Sequence, residues 1–296
     1  MRILIFGGTG MLGHKLCQVL SDKFNVWTTC RRSPKLIQDL DWFSPERTIS
    51  GVFAEDSESI WQAIIAAKPD VVINAVGIIK QLPSSNDVTA ALEVNSLFPN
   101  RLAAFSKQVG FRLITISTDC VFDGKKGNYS ETDTPNALDL YGQSKHWGEI
   151  DLPNCVTLRS SIIGHELGGG HSLLDWFLGN RESTERSTVN GYTKAIYSGF
   201  PTIVFADIIE TLITQMPDLS GLFQVSSDPI SKFELLCLID KAYGSRITII
   251  PSDEVKIDRS LDSTRFRHKT DFRPMLWPEM IDRMRADANV YPRFKQ

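Results

Sequence analysis

The chain has no CxxC pair, no histidine–cysteine cluster, and no apolar run near the ~20 residues that span a bilayer. Its five cysteines, Cys17, Cys30, Cys120, Cys155 and Cys237, are odd in number and widely spaced. They read as small buried side chains in a reducing compartment, and no metal site is expected. Neither sign of charge is in excess: 32 Lys and Arg against 35 Asp and Glu leave a net charge of −3. Nothing therefore draws the whole chain to nucleic acid or to an acidic membrane, and any basic site is local. Internal repeats and low-complexity tracts are missing. Met1 leads almost directly into Ile3-Leu4-Ile5-Phe6, without the basic segment and apolar core of a cleavable leader. A cytoplasmic location is the expectation.

What is present is alternation. Short runs rich in Val, Ile and Thr at 2–6, 26–30, 71–76 and 113–117 are bounded by turn residues. They predict strands buried on both faces of a parallel sheet. Segments 11–20, 57–67 and 91–109 are long enough for crossover helices, and 155–158 and 223–225 add further strands. The expected fold is α/β, a doubly wound parallel sheet of Rossmann type with a smaller C-terminal substrate-binding region. With 296 residues, one large domain or two joined ones fit. After about residue 164 the pattern loosens through Gly168-Gly169-Gly170, the charged stretch 181–186 and the turn signals Asn190-Gly191 and Gly199-Phe200-Pro201. The expected division is 1–164 plus about 201–244 for the nucleotide, and about 165–200 plus 245–296 facing the substrate.

Gly7-Gly8-Thr9-Gly10-Met11-Leu12-Gly13 follows an apolar strand and precedes a helix. Such a turn lets backbone approach a pyrophosphate and seats it at a helix N-terminus, where free N–H groups and the helix dipole favour negative charge. Gly7, Thr9, Gly10, Met11, Leu12 and Gly13 are the candidate contacts. An NAD site usually places a carboxylate at the end of the second strand, yet here the chain reads Trp27-Thr28-Thr29-Cys30-Arg31-Arg32. A guanidinium attracts a 2′-phosphate that a carboxylate would repel, so Arg31 and Arg32 favour NADP(H).

Tyr141-Gly142-Gln143-Ser144-Lys145 sets a phenol and an ammonium on one helical face. A unit charge ~4 Å away is worth about 4 kcal/mol at an effective dielectric of ~20, enough to draw a phenol toward neutral pH. Tyr141 would then donate a proton to a substrate carbonyl. Ser117-Thr118-Asp119 closes an apolar strand at the sheet edge where ligands bind. Thr118 is placed to hydrogen-bond the same oxygen, and Asp119 to orient Thr118, bind a substrate hydroxyl or begin the next turn. Histidines 14, 146, 165, 171 and 268 show no metal or acid–base spacing, although His171 beside the triple glycine is a candidate contact for a substrate phosphate.

With these residues in place the chain resembles the extended short-chain dehydrogenases/reductases, and within them the dTDP-4-dehydrorhamnose reductases and related nucleotide-sugar reductases. The resemblance rests chiefly on Ser117-Thr118-Asp119-Cys120-Val121-Phe122-Asp123-Gly124 and on Tyr141-Gly142-Gln143-Ser144-Lys145 followed by Gly148-Glu149. It implies Thr118, Tyr141 and Lys145 as catalytic residues, and Asn74, Ala75, Ser117 and Ser160 beside the cofactor. Asp119, Tyr141 and Asn190 become the substrate contacts. Cys120 stands where the family has tyrosine, and 190–194 and 198–202 are similar to the substrate-facing region of relatives acting on other nucleotide sugars. The implied activity is NADPH-dependent reduction of a dTDP- or UDP-linked 4-keto-6-deoxysugar in deoxysugar or surface-polysaccharide biosynthesis. Two alternatives stay open, a nucleotide-sugar epimerase or dehydratase and a non-catalytic NADP-binding regulatory subunit. A homodimer is also open.

Overall fold

The computed structural model describes residues 1–32, 37, 40–78, 86–168, 170, 172–180 and 187–291. Seven parallel strands form the main sheet: β1 (Arg2–Phe6), β2 (Asn25–Cys30), β3 (Thr48–Ser50), β4 (Val71–Asn74), β5 (Arg112–Thr118), β6 (Cys155–Ser160) and, much later, β10 (Gly221–Gln224). Their spatial order is β3-β2-β1-β4-β5-β6-β10. The direction of strand addition reverses between β1 and β4, and there the C-terminal strand ends open a crevice. Every residue of β4 and β6 is buried, which accounts for the unbroken apolar runs seen in the sequence.

Helices α1 (Gly13–Ser21), α7 (Thr202–Gln215) and α10 (Trp277–Asp287) cover one face, packing Leu16, Leu20, Phe205, Ile209 and Met280. On the other face lie α2 (Ser57–Ala67) and a longer rod in which α3 (Val88–Ala91) passes through a π turn at Leu92–Leu97 into α4 (Phe98–Val109). Ile60, Ile64, Phe98 and Leu102 fill that side. The Asp56 side chain caps α2 by accepting from the Glu58 N–H, and Gly110 ends α4 in the left-handed region.

Two further helices flank the site, α5 (Leu140–Trp147) after β5 and α6 (Leu173–Gly179) after the short strand β7 (Ile162–Ile163). A second sheet sets β8 (Thr188–Tyr197) between β11 (Ile230–Ser231) and β12 (Thr248–Asp258), while β7 pairs with β9 (Phe200–Pro201). Within the segment 201–244, α7 and β10 join the main layer. By contrast β11 and α8 (Lys232–Tyr243) pack on β8 and β12. A last short helix, α9 (Thr264–Thr270), lies against β10. β4 stops at Asn74, short of the expected 76, because the Asn74 carboxamide accepts the Val76 N–H (3.1 Å) and turns the chain. β3 and the strands of the small sheet went unread in the sequence.

Candidate active site

The glycine turn lies where β1 ends, beside the end of β4. Gly7 has φ +87°, open to glycine and strained for other residues, and the Gly10 N–H donates to its carbonyl (3.0 Å). A Cβ on Gly13 would stand 2.0 Å from that same carbonyl oxygen, so the first turn of α1 sits directly on the strand exit. The arrangement leaves a backbone cradle at a helix N-terminus, which fits a pyrophosphate. His14, read as structural, is wholly buried: its Nδ1 bonds the Gly10 carbonyl (2.8 Å) and its Nε2 the Tyr291 hydroxyl (2.7 Å). Next to it Lys15 is 0% exposed and pairs with Asp287. Arg31 and Arg32 are exposed immediately after β2, where a group extending from the turn along the sheet edge would meet them.

Across the crevice, β5 delivers Thr118 and Asp119. The Thr118 hydroxyl donates to Asp119 Oδ1 (3.1 Å) and accepts the Cys120 N–H (3.1 Å). Asp139 caps α5 by accepting the Gly142 N–H (2.9 Å), which places Tyr141 in the first turn and Lys145 one turn later on the same face. Burial raises the Tyr141 phenol above its ordinary value. Cys120, Asp119 and Asp139 add to the rise and the Thr118 hydroxyl opposes it. Burial brings the Lys145 ammonium down to about 8, against the upward pull of Glu149.

The sequence reading has the lysine and an oxidised nicotinamide ring together drawing the phenol toward phenolate. In this structure the Lys145 ammonium donates to the Ile116 carbonyl (2.7 Å), and burial raises the phenol. A neutral phenol is the form that can give up a proton. Burial likewise pushes the Cys120 thiol up to about 12, so it is a neutral neighbour here and not a nucleophile.

Ser117 and Arg159, neighbours in register on β5 and β6, point together at Glu149. Ser117 Oγ donates to Glu149 Oε1 (2.7 Å), and Arg159 reaches both carboxylate oxygens at 2.7 Å. The side chain of Ser117 is thus turned to Glu149. Ser160, in register with Thr118, is 4% exposed. Asn74 is buried at the end of β4 with Ala75 beside the turn, since the Ala75 N–H donates to the Phe6 carbonyl (3.0 Å). Asn190 lies apart from these groups on β8, lining a cavity of about 510 Å³ with Trp176, Asn180, Tyr192 and Lys232. His171 and the stretch 181–186 fall outside the described residues.

One residue near the site escaped the sequence reading. Asn95, in the π turn, holds the loop after β4 to α5: its Oδ1 accepts the Ile78 N–H (3.0 Å), and its Nδ2 donates to Ser144 Oγ (3.1 Å). A π turn inside a helical rod was the available signal, but it is invisible in residue type. Among the described residues no group of three or more metal-ligating side chains occurs, and no helix is long and apolar enough to cross a membrane.

The model of the RmlD substrate binding domain family matches residues 1–288. The chain is similar to dTDP-4-dehydrorhamnose reductase of Aggregatibacter actinomycetemcomitans, 25% identical over 97% of this chain and 99% of that protein. It is also similar to bovine methionine adenosyltransferase 2 subunit beta, 27% identical over 95% of this chain and 89% of the relative. In fold it matches the structure of dTDP-4-dehydrorhamnose reductase from Bacillus anthracis in complex with NADP. There the TM-score is 0.78 at 20% identity, covering 97% of this chain and 99% of that one.

Proposed function

The chain belongs to the RmlD substrate binding domain family, and from that membership we propose that it is an NADPH-dependent reductase of a nucleotide-activated 4-keto-6-deoxysugar. One observation carries the reading: Tyr141 and Lys145, one turn apart on α5, pack against the end of β5 that carries Thr118. The similar proteins named dTDP-4-dehydrorhamnose reductase support the substrate class. Gly7, Gly10 and Gly13 with the start of α1 would hold the pyrophosphate, and Arg31 and Arg32 the 2′-phosphate. Bound there, NADPH supplies hydride to the keto carbon.

The protein's own part is proton handling. Tyr141 releases its hydroxyl proton to the carbonyl oxygen as that oxygen gains negative charge, so a C=O becomes CH–OH. Thr118, fixed by Asp119 and the Cys120 N–H, keeps the phenol oriented. Lys145, one turn along α5, offsets the charge left on the phenolate. Asp119 and Asn190 are the proposed sugar-nucleotide contacts. A cytoplasmic location goes with this reading, and neither nucleic acid nor membrane enters it.

The test is incubation of the purified protein with NADPH and dTDP- or UDP-linked 4-keto-6-deoxysugars. Stoichiometric loss of the dihydronicotinamide absorbance is expected, and Tyr141→Phe is expected to cut kcat by ~10²–10⁴ while NADPH still binds. Product without net NADPH oxidation would identify an epimerase or dehydratase instead. A second reading, a non-catalytic subunit, draws on the similarity to methionine adenosyltransferase 2 subunit beta. It predicts NADPH binding with no oxidation of NADPH by any keto sugar.

A further inference from the structure

Arg259 directly follows β12, and its Nε donates to the Phe122 carbonyl (2.7 Å). Its stem lies over Gly124, where an added methyl would come within 3.0 Å of the Arg259 Cγ. Both contacts fall on the segment that leaves Thr118. Cys120, in that same segment, is tied to both sides of the site. Its N–H donates to the Thr118 hydroxyl (3.1 Å), and a methyl on Gly142, next to Tyr141, would stand 2.2 Å from its carbonyl oxygen. Strand register sets this end of the small sheet apart from the other: Asp258 pairs with Ile196, whereas Asn190, on its cavity, pairs with Ile250. Arg259 therefore belongs to the end that carries Thr118 and Tyr141.

Arg259 is half-buried, and among the described residues no carboxylate pairs with it. Arg101 and Arg159, by contrast, each hold a carboxylate at 2.7 Å. The two terminal nitrogens of Arg259 have no acceptor among the described residues and keep contact with solvent, so a ligand can reach them. A partly desolvated cation without a counter-charge is a cost, and a guanidinium offers donors only. Cys120 is small and partly exposed, at the position where the related reductases have tyrosine, and the Arg259 charge reaches its thiol. The pair thus sets free donors beside added space.

Resting on the reductase reading above, we propose that Arg259 selects the sugar: its terminal N–H groups donate to the carbonyl oxygen of an acylamino group on the ring, in the space that Cys120 leaves. A carbonyl oxygen accepts and has no proton to place. A ring hydroxyl there would bring a proton for which neither Arg259 nor the Cys120 thiol is a strong acceptor, and it would not fill the space. A carboxylate would suit the guanidinium too, but a 6-deoxysugar carries a methyl where an acidic sugar carries that group.

The experiment compares UDP-linked 4-keto-6-deoxysugars that carry an acetamido group at carbon 2 or carbon 3 with their hydroxyl counterparts. For the wild type, kcat/KM for one acetamido sugar should exceed that of its counterpart by ~10- to 100-fold. Arg259→Met keeps the apolar stem and removes the donors. It should erase most of that preference, lowering kcat/KM for the acetamido sugar by ~10- to 100-fold, chiefly through KM, with the NADPH Kd unchanged. Should Arg259→Met fail to fold, Arg259→Lys is read in the same way. It keeps the charge and gives up the fork, and a loss of roughly threefold to tenfold is expected. A wild type that uses the hydroxyl sugars as well as the acetamido ones overturns the proposal. So does a variant that loses both sugars equally, loses neither, or binds NADPH more weakly with its sugar preference intact. Wild-type turnover reports separately on the reductase reading. If the wild type oxidises no NADPH with any keto sugar, both fall; if it does without preference for an acetamido group, only this one does.

Discussion

The Arg159 guanidinium grips the Glu149 carboxylate with two hydrogen bonds of 2.7 Å, in surroundings where their side chains are only 3% and 6% exposed. Ser117 and His146 complete the ring of donors around the carboxylate. Glu149 follows α5 by two residues and also bonds His146 in its last turn, so the pair joins the end of α5 to β6.

Breaking this pair should be costly. Glu149→Gln leaves a buried guanidinium short of its counter-charge, and a loss of about 3–5 kcal/mol in urea unfolding is expected. Burial works to raise the Glu149 pKa, but Arg159, His146 and Ser117 overcome it and hold the carboxyl below its usual range. A depressed folded pKa gives stability that is present above ~4.3, the unfolded value, and lost as pH falls through the folded one. The wild type should therefore lose this increment in acid below about pH 4, and Glu149→Gln should show no such step.

Lys145 is expected to set an alkaline limit on turnover. With its ammonium at about 8 and the Tyr141 phenol higher, kcat/KM should fall above pH ~8 as one proton leaves the lysine. Glu149 raises the lysine, so Glu149→Gln should move that midpoint lower. A profile flat to about pH 10 would remove the ammonium from the mechanism.

The proposed 2′-phosphate contact is the exposed Arg31 guanidinium just after β2. Arg31→Asp should weaken NADPH binding by ~10- to 100-fold and leave NADH nearly unchanged, as read by fluorescence titration of both. Equal losses for the two would take Arg31 away from the 2′-phosphate.

Lys15 is a buried cation whose ion-pair partner is Asp287. Burial lowers its pKa while Asp287 props it up. Asp287→Asn should cost several kcal/mol near pH 7 and lower the lysine further. The unfolded chain would then hold more protons than the folded one, so the stability of the variant should rise between about pH 7 and pH 9. Urea midpoints at the two pH values measure it.

The nucleotide half could be read from residues alone because its signals are local. A glycine turn after an apolar run, and a tyrosine four residues before a lysine on a helix capped by Asp139, each lie within a short stretch of chain. β3 is three residues long and half exposed, too brief and too mixed for a period to register. The small sheet was harder, since β12 is mostly exposed and slips register between Ser252 and Lys256, which blurs its alternation. The direction of the Tyr141 shift was also illegible: charge partners can be guessed from spacing, but burial comes only from packing. Asn95 acts through contacts with distant segments and stands in no motif.

The tie between α1 and the end of α10 has a consequence for how the molecule is made. Lys15 and Asp287 are 272 positions apart, and His14 and Tyr291 are 277 apart. The helix that backs the glycine turn is thus synthesised well before the partners of its buried lysine and histidine. Contacts of such separation slow folding and leave early segments exposed meanwhile. A fragment stopping near residue 164 would hold the strand, turn and helix of the nucleotide site and still bare Lys15 to a face built to enclose it. The backing of the glycine turn is therefore complete only once α10 and Tyr291 have packed on α1.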